Sequence, residues 1–279
     1  MLKIIQPGFY TTLQDLGRYH YRQYGVPVSG AMDQGALRRA NALLENEPGA
    51  AALEVTMKGP EVEFTTPTFL VVSGAHLEAE LNGEPVEMNR VYQVPAGSHL
   101  KCGPVLRGLR AYLAVKGGFL PEVRLGSRSY FPPVTRHKFL ARDSELPYAP
   151  CEDFTPRLLK LNAADSYGQK EVRVWPGPEF DLLNPSQKAC LFETEYHLAK
   201  EHDRMACQLG PAMEGIGTSM ITSATLPGTV QLTPAGKLLV LLRDGQTTGG
   251  YPRILQLDPD SLDLMGQKKS GDAIRFLWA

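Results

Sequence analysis

Asp244-Gly245-Gln246-Thr247-Thr248-Gly249-Gly250-Tyr251-Pro252 follows the apolar run Leu238-Leu239-Val240-Leu241-Leu242, and this junction decides how the chain is read. The aliphatic run has the length and composition of a buried strand, and it stops at a charged pair, Arg243-Asp244. A site at the end of a strand is the simplest reading. The loop offers a carboxylate, an amide, two hydroxyls, a Gly-Gly pair and a Tyr-Pro, so it presents polar groups and lets backbone amides approach a ligand. The plainer alternative is a hairpin turn whose glycines supply positive φ and whose threonines bond locally.

Working outward, the second half of the chain is built of similar short runs. Glu171–Trp175, Thr218–Thr222, Thr229–Leu232, Ile254–Leu257 and Ala273–Leu277 read as strands, with short helices at Asn184–Leu191 and Ser261–Met265. The first half has the same texture: Leu53–Thr56, Val62–Phe64, Thr68–Val72, His76–Leu81, Tyr92–Val94 and Arg110–Val115, with Asn82-Gly83 as a hairpin signal. Ile4–Thr12, interrupted by Pro7-Gly8, reads as an edge strand and turn. Between Ala31 and Leu44 the period changes: Met32, Ala36, Leu37, Ala40, Leu43 and Leu44 recur at helical spacing, with Asp33 near the start where a carboxylate favours exposed amides. Residues 131–169 lack periodicity and hold several prolines, as a connection between lobes would. The expected fold is mainly β, with two barrel-like lobes and a few short helices. The N-terminal lobe is placed at 1–165, with one helix near 31–44, and the C-terminal lobe at 166–279.

Composition narrows the function. The 279 residues are 43% hydrophobic, enough for a sizeable core. Twenty-nine basic against thirty acidic residues give a net charge of -1 with no long basic run, which argues against nucleic acid. Met1–Gly8 has only a two-residue apolar pair before a Pro-Gly turn, and no segment approaches the roughly 18 apolar residues of a membrane span, so a cytoplasmic protein without a membrane partner is expected. Cys102, Cys151, Cys190 and Cys207 form no C-x-x-C pair and read as reduced, mostly buried thiols; the six histidines make no metal-binding pattern, and no metal site is expected. Gly236-Lys237 lacks the upstream glycine and following hydroxyl of a P-loop, Met57-Lys58 continues into Gly59-Pro60 rather than a biotin-carrier motif, and no G-x-S-x-G elbow occurs.

The loop, with Pro227–Gln231 before it, resembles the family that contains allophanate hydrolase subunit 2, the C-type subunit of 5-oxoprolinase and the carboxyltransferase part of urea carboxylase. Further blocks carry the resemblance: Gln14–Arg18, Gly25–Asp33, Asn41, Leu53-Glu54, Gly117–Phe119, Leu125–Ser129 and Trp175–Pro178. The chain departs from the family pattern in two places. Asp203-Arg204-Met205 is followed by Ala206–Leu209, and Val134–Leu140 stands where a glycine-rich stretch is usual. The resemblance implies cyclophilin-like β-barrel lobes and the C-type member of an ATP-dependent 5-oxoprolinase, an amidohydrolase complex with separate A- and B-type subunits that opens a lactam. It implies no covalently bound cofactor and ATP at the level of the complex. Two alternatives stay open: a carboxyltransferase component of a biotin-dependent, urea carboxylase-type enzyme, and a regulatory antagonist of a kinase inhibitor.

The polar residues in these blocks form the expected site. Asp244, Tyr251 and Arg204 are the catalytic candidates, Asp244 orienting or deprotonating a nucleophile and Tyr251 with the loop amides holding an oxyanion. Gln14, Asp15, Arg18, Asp33, Arg128, Gln231, Thr247, Thr248, Gly249 and Gly250 are the substrate-binding candidates, with Ser127 among the same polar set. An arginine grips a carboxylate with two prongs, and an amide beside it orients a lactam or urea nitrogen. The Asp15–Arg18 block is expected to face the loop from the other lobe. Arg18 and Arg128 read equally well as structural ion-paired ties, and Asp33 as a helix cap.

Overall fold

Short runs of valine, leucine and threonine punctuated by glycine and proline favour strands over helices, and the computed structural model, which describes residues 1–163, 166–217 and 220–279, is built mainly of them. The chain divides into two units, Met1–Arg18 with Ser29–Asp165, and Tyr19–Val28 with Ser166–Ala279. Residues 19–28 therefore group with the second unit, although a single linear cut places them in the first.

The spine of the first unit is an 18-residue strand, Ser98–Val115. One edge pairs with Glu61–Phe64 near its start and with Ala52–Thr56 near its end, and the other pairs along most of its length with Thr68–Leu81. Leu2–Gln6 and Tyr10–Gln14 extend this sheet outward. The runs read as separate strands, Thr68–Val72 and His76–Leu81, are one strand interrupted by an irregularity at Gly74–Ala79. Gly74 sits at φ 85°, and a β-carbon there would lie 2.7 Å from the Arg110 carbonyl oxygen, so the bend requires glycine. Asn82 and Gly83, at φ 53° and 86°, make the expected two-residue turn between Leu81 and Glu84.

Side chains alternate across these strands, which explains their near-continuous apolar composition. Leu70, Val72, Ala111 and Leu113 pack into one core with Leu2, Ile4 and Phe64. Phe69, Val71, Tyr112 and Ala114 face the other way, against Ala36, Leu37, Ala40 and Leu44. These last belong to helix α1, Gln34–Leu43, and its C-cap Leu44; the N-cap is Asp33.

In the second unit seven strands close into a barrel, in the order Glu171–Pro176, Arg253–Leu257, Thr229–Leu232, Leu238–Leu241, Ala206–Gly210, Tyr196–His202 and Ala273–Trp278. Closure leaves no sheet edge, and it is made by the parallel pairing of Glu171–Pro176 with Ala273–Trp278. Val172, Val174, Val230, Val240, Leu255, Ile274 and Phe276 are fully buried. Two further helices realise the short helical expectations: α2, Pro185–Glu193, with a capping box from Asn184 and Gln187, and α3, Pro259–Gln267, capped by Asp258.

The expected strand Thr218–Thr222 is corrected in part. Thr218 and Ser219 lie outside the described residues, while Met220–Thr222 is irregular and pairing begins only at Ser223–Ala224. Ile221 is 92% exposed, so its β-type composition finds no surface to pack on. Two of the four thiols, Cys102 and Cys207, are buried; Cys151 is half-buried and Cys190 exposed. No helix among the described residues is long and apolar enough to cross a membrane.

Candidate functional site

The aliphatic run identified in the sequence is a central barrel strand, paired on one side with Ala206–Gly210 and on the other with Thr229–Leu232. Where it ends, two ion pairs hold the chain. Arg243 reaches Asp263 of α3 at 2.5 Å, and Asp244 receives Arg204 Nε at 2.7 Å and Nη2 at 3.2 Å. The backbone reinforces the second pair, since the Asp244 amide donates to the Arg204 carbonyl at 2.9 Å. Arg204 and Asp244 are both buried, so their charges interact in a weakly screened environment. With both carboxylate oxygens engaged by the guanidinium, the pair is arranged to fix the first residue of the loop.

Past this anchor the loop turns back as a small ladder. Thr248 pairs with Ala224 and Gly249 with Ser223, and the Thr225 amide donates to the Thr247 carbonyl at 3.1 Å. Gly249 lies directly against Gln231 of the neighbouring barrel strand. A β-carbon at Gly249 would stand 2.5 Å from Gln231 Nε2, so the close approach depends on glycine. Gln231 is fully buried; its Nε2 donates to the Tyr251 carbonyl at 3.3 Å, and its Oε1 has no hydrogen-bond partner among the described residues. An amide oxygen in that position is a ready acceptor for a ligand N–H, because leaving it buried and unmatched is costly. Thr247 is half-buried, Thr248 and Gly250 are exposed, and Tyr251 is 40% exposed. Arg204 and Asp244 thus stand at the Leu241 end of the central strand, whereas Gln231, Gly249 and Tyr251 lie toward the end where Leu232 pairs with Leu238, and the loop carrying Thr247, Thr248 and Gly250 runs from one to the other.

Two residues outside the sequence-derived set belong to the same place. Thr225 ties the loop to the Ser223–Ala224 strand, and Arg22 donates through Nη2 to the Thr225 carbonyl. Arg22 Nη1 is buried without a partner among the described residues. Burial holds the proton affinity of this guanidinium below its usual value. Arg22 escaped the sequence reading because it stands far upstream, in a segment assigned to the other lobe. Beside it, Arg253 donates to the Ala224 carbonyl but is matched by Glu179, whose carboxyl is held below the usual range by Arg253 hydrogen bonds.

The remaining candidates lie in the first unit. Asp15 is a hub: Oδ1 accepts from the Gly17 amide at 2.7 Å, Ser127 Oγ at 2.7 Å and Ser129 Oγ at 2.6 Å, while Oδ2 accepts from the Arg128 amide at 2.6 Å. Arg18 is fully buried and donates to the Ser129 carbonyl. Gln14 Nε2 donates to Thr12 Oγ1 at 3.0 Å, and its Oε1 has no partner among the described residues; the same is true of Arg128 Nε. Asp33 caps α1, accepting from the Ala36 amide at 2.8 Å. Next to it is a buried network the sequence reading missed, in which the Met32 amide and Tyr112 hydroxyl both donate to Glu54 Oε2 at 2.8 Å. Burial, followed by the Glu54 and Asp33 charges, pushes the Tyr112 phenol well above its usual range, so it stays a neutral donor. A glutamate inside an alternating apolar strand was the available signal.

Similarity to known proteins runs from end to end. The chain is 32% identical to the C-type subunit of 5-oxoprolinase from Escherichia coli (strain K12), over 99% of this chain and 91% of that protein. It is 37% identical to the urea amidolyase of Saccharomyces cerevisiae, over 99% of this chain but only 16% of that much longer protein. Among solved structures, that of TTHA0988 superimposes with a TM-score of 0.88 at 30% identity, over 99% of this chain and 55% of that chain, so this chain spans about half its length. The family model described as carboxyltransferase domain, subdomain A and B, matches residues 24–278, and the chain belongs to that family.

Proposed function

We propose that this chain is the C-type subunit of an ATP-dependent 5-oxoprolinase, acting with A- and B-type subunits to open the lactam of 5-oxoproline to glutamate, and that it is silent alone. The observation that carries this reading is the extent of its likeness to the Escherichia coli 5-oxoprolinase protein, which covers 91% of that relative against 16% of the yeast urea amidolyase. The loop from Asp244 to Pro252 suits the chemistry. Gln231 Oε1 offers an acceptor to a lactam N–H, the exposed Tyr251 and the loop amides offer donors to a developing oxyanion, and the Arg204–Asp244 pair holds the loop in place. Phosphorylation of the lactam oxygen by ATP turns it into a leaving group and makes the carbon easier for water to attack. One water then adds to that carbon and the ring C–N bond breaks, the nitrogen taking a proton, which leaves an acyl phosphate; a second water releases the phosphate, so 5-oxoproline, ATP and two waters give glutamate, ADP and phosphate. The nucleotide is assigned to the complex, with no cofactor bound covalently here.

The urea amidolyase relatives favour a second reading, a carboxyltransferase component that receives a carboxyl group from a biotin-bearing partner. The two separate in one assay. The reconstituted complex is supplied with ATP and either 5-oxoproline, or urea with bicarbonate and a biotin carboxylase partner. Glutamate from the first supports the proposal, whereas carboxylated urea without glutamate contradicts it.

A further inference from the structure

The second unit treats its arginines in a consistent way, with one exception. Arg173, Arg204, Arg243, Arg253 and Arg275 each face a carboxylate, at 2.5 to 3.4 Å. Arg22 faces none among the described residues: one nitrogen is spent on the Thr225 carbonyl and another is buried and unmatched. A guanidinium keeps its charge at neutral pH, so a half-buried one without a counter-charge carries a desolvation cost that a bound anion would relieve. The lowering of its proton affinity by burial agrees with this.

Its position says which anion. Arg22 rests on Thr225, whose amide bonds the Thr247 carbonyl, and two residues along the same ladder Gly249 lies against Gln231. Arg22 and Gln231 thus lie near positions of one loop that are two residues, roughly 7 Å of strand, apart. One calls for an anion and the other for an N–H donor. We propose that Arg22 anchors the carboxylate of the bound amide while Gln231 takes its N–H, so that this site selects a cyclic amide bearing an acid over a bare lactam or urea.

The inference rests on the functional reading above, and steady-state kinetics of the reconstituted complex with ATP test it. Arg22→Met is expected to raise KM for 5-oxoproline about tenfold or more, as loss of a charge-assisted bond does, with a smaller change in kcat. Arg22→Lys should recover part of the loss, and melting temperatures should stay close to that of the unaltered protein. Inhibition by 2-pyrrolidinone, the same ring without its acid, should not change. The inference is overturned if Arg22→Met leaves KM within about twofold, a difference too small for a lost charge-assisted bond, or if it weakens 2-pyrrolidinone by the same factor. No turnover of 5-oxoproline by the unaltered complex overturns the functional reading and this inference with it; turnover with an unchanged variant KM overturns this inference alone.

Discussion

Arg204 and Asp244 meet edge to edge, Nε to Oδ2 at 2.7 Å and Nη2 to Oδ1 at 3.2 Å, and the Asp244 amide returns a bond to the Arg204 carbonyl. Side chain and backbone together fasten the start of the loop to the turn before Ala206–Gly210. Removing one member leaves the other charge buried without its counter-ion. Asp244→Asn is therefore expected to cost about 3 kcal/mol in denaturant unfolding, and adding Arg204→Met should restore much of it. Equal and additive losses in the two single variants and the double would show that the pair is not coupled.

Gly249→Ala addresses the contact with Gln231. The added β-carbon would stand 2.5 Å from Nε2, and the amide must move because it has no solvent to swing into. A misplacement of this size is expected to lower turnover of the complex on the order of a hundredfold with only a few degrees lost in melting temperature. Normal turnover would mean that the Gln231 amide takes no part.

Acid stability should depend on Glu179. Its carboxyl is held below the usual range, chiefly by hydrogen bonds from Arg253, which also ties down the Ala224 carbonyl beside the loop. A depressed folded-state value means stability that is present above the ordinary glutamate range and is lost as pH falls through the lower folded value. Unfolding free energy measured from neutral pH downward should decline across that window, and Glu179→Gln should flatten the decline. An unchanged slope in the variant would assign the acid sensitivity elsewhere.

Asp33→Ala should cost about 1 kcal/mol, the usual worth of an N-cap, because the Ala36 amide loses its acceptor. Thermal unfolding checks this, and a loss of turnover without a loss of stability would instead make Asp33 a ligand-binding residue.

What could be read from the sequence was what local pattern determines. Helix α1 showed itself through the spacing of Ala36, Leu37, Ala40 and Leu44, and the hairpin through Asn82-Gly83, because a helical face and a positive-φ turn each need particular residues at fixed offsets. The continuity of Thr68–Leu81 through its bulge was hidden, because Gly74 looks like a turn until its partner strand is in place. Met220–Thr222 failed in the opposite sense, having strand-forming residues and no strand pairing among the described residues. In the candidate site, the polar composition of the loop from Asp244 to Pro252 was legible locally. Arg22 was not, since only long-range packing brings residues 19–28 into the second unit, and an unmatched guanidinium cannot be told from a matched one by composition.

The most direct test of the account is a titration. With A- and B-type subunits and ATP held constant, glutamate formation from 5-oxoproline is followed as this chain is added. The account expects almost no product without the chain, a rise to a plateau at a fixed ratio, and none from the chain alone. Glutamate formation that ignores the chain, or full activity from the chain by itself, would contradict it.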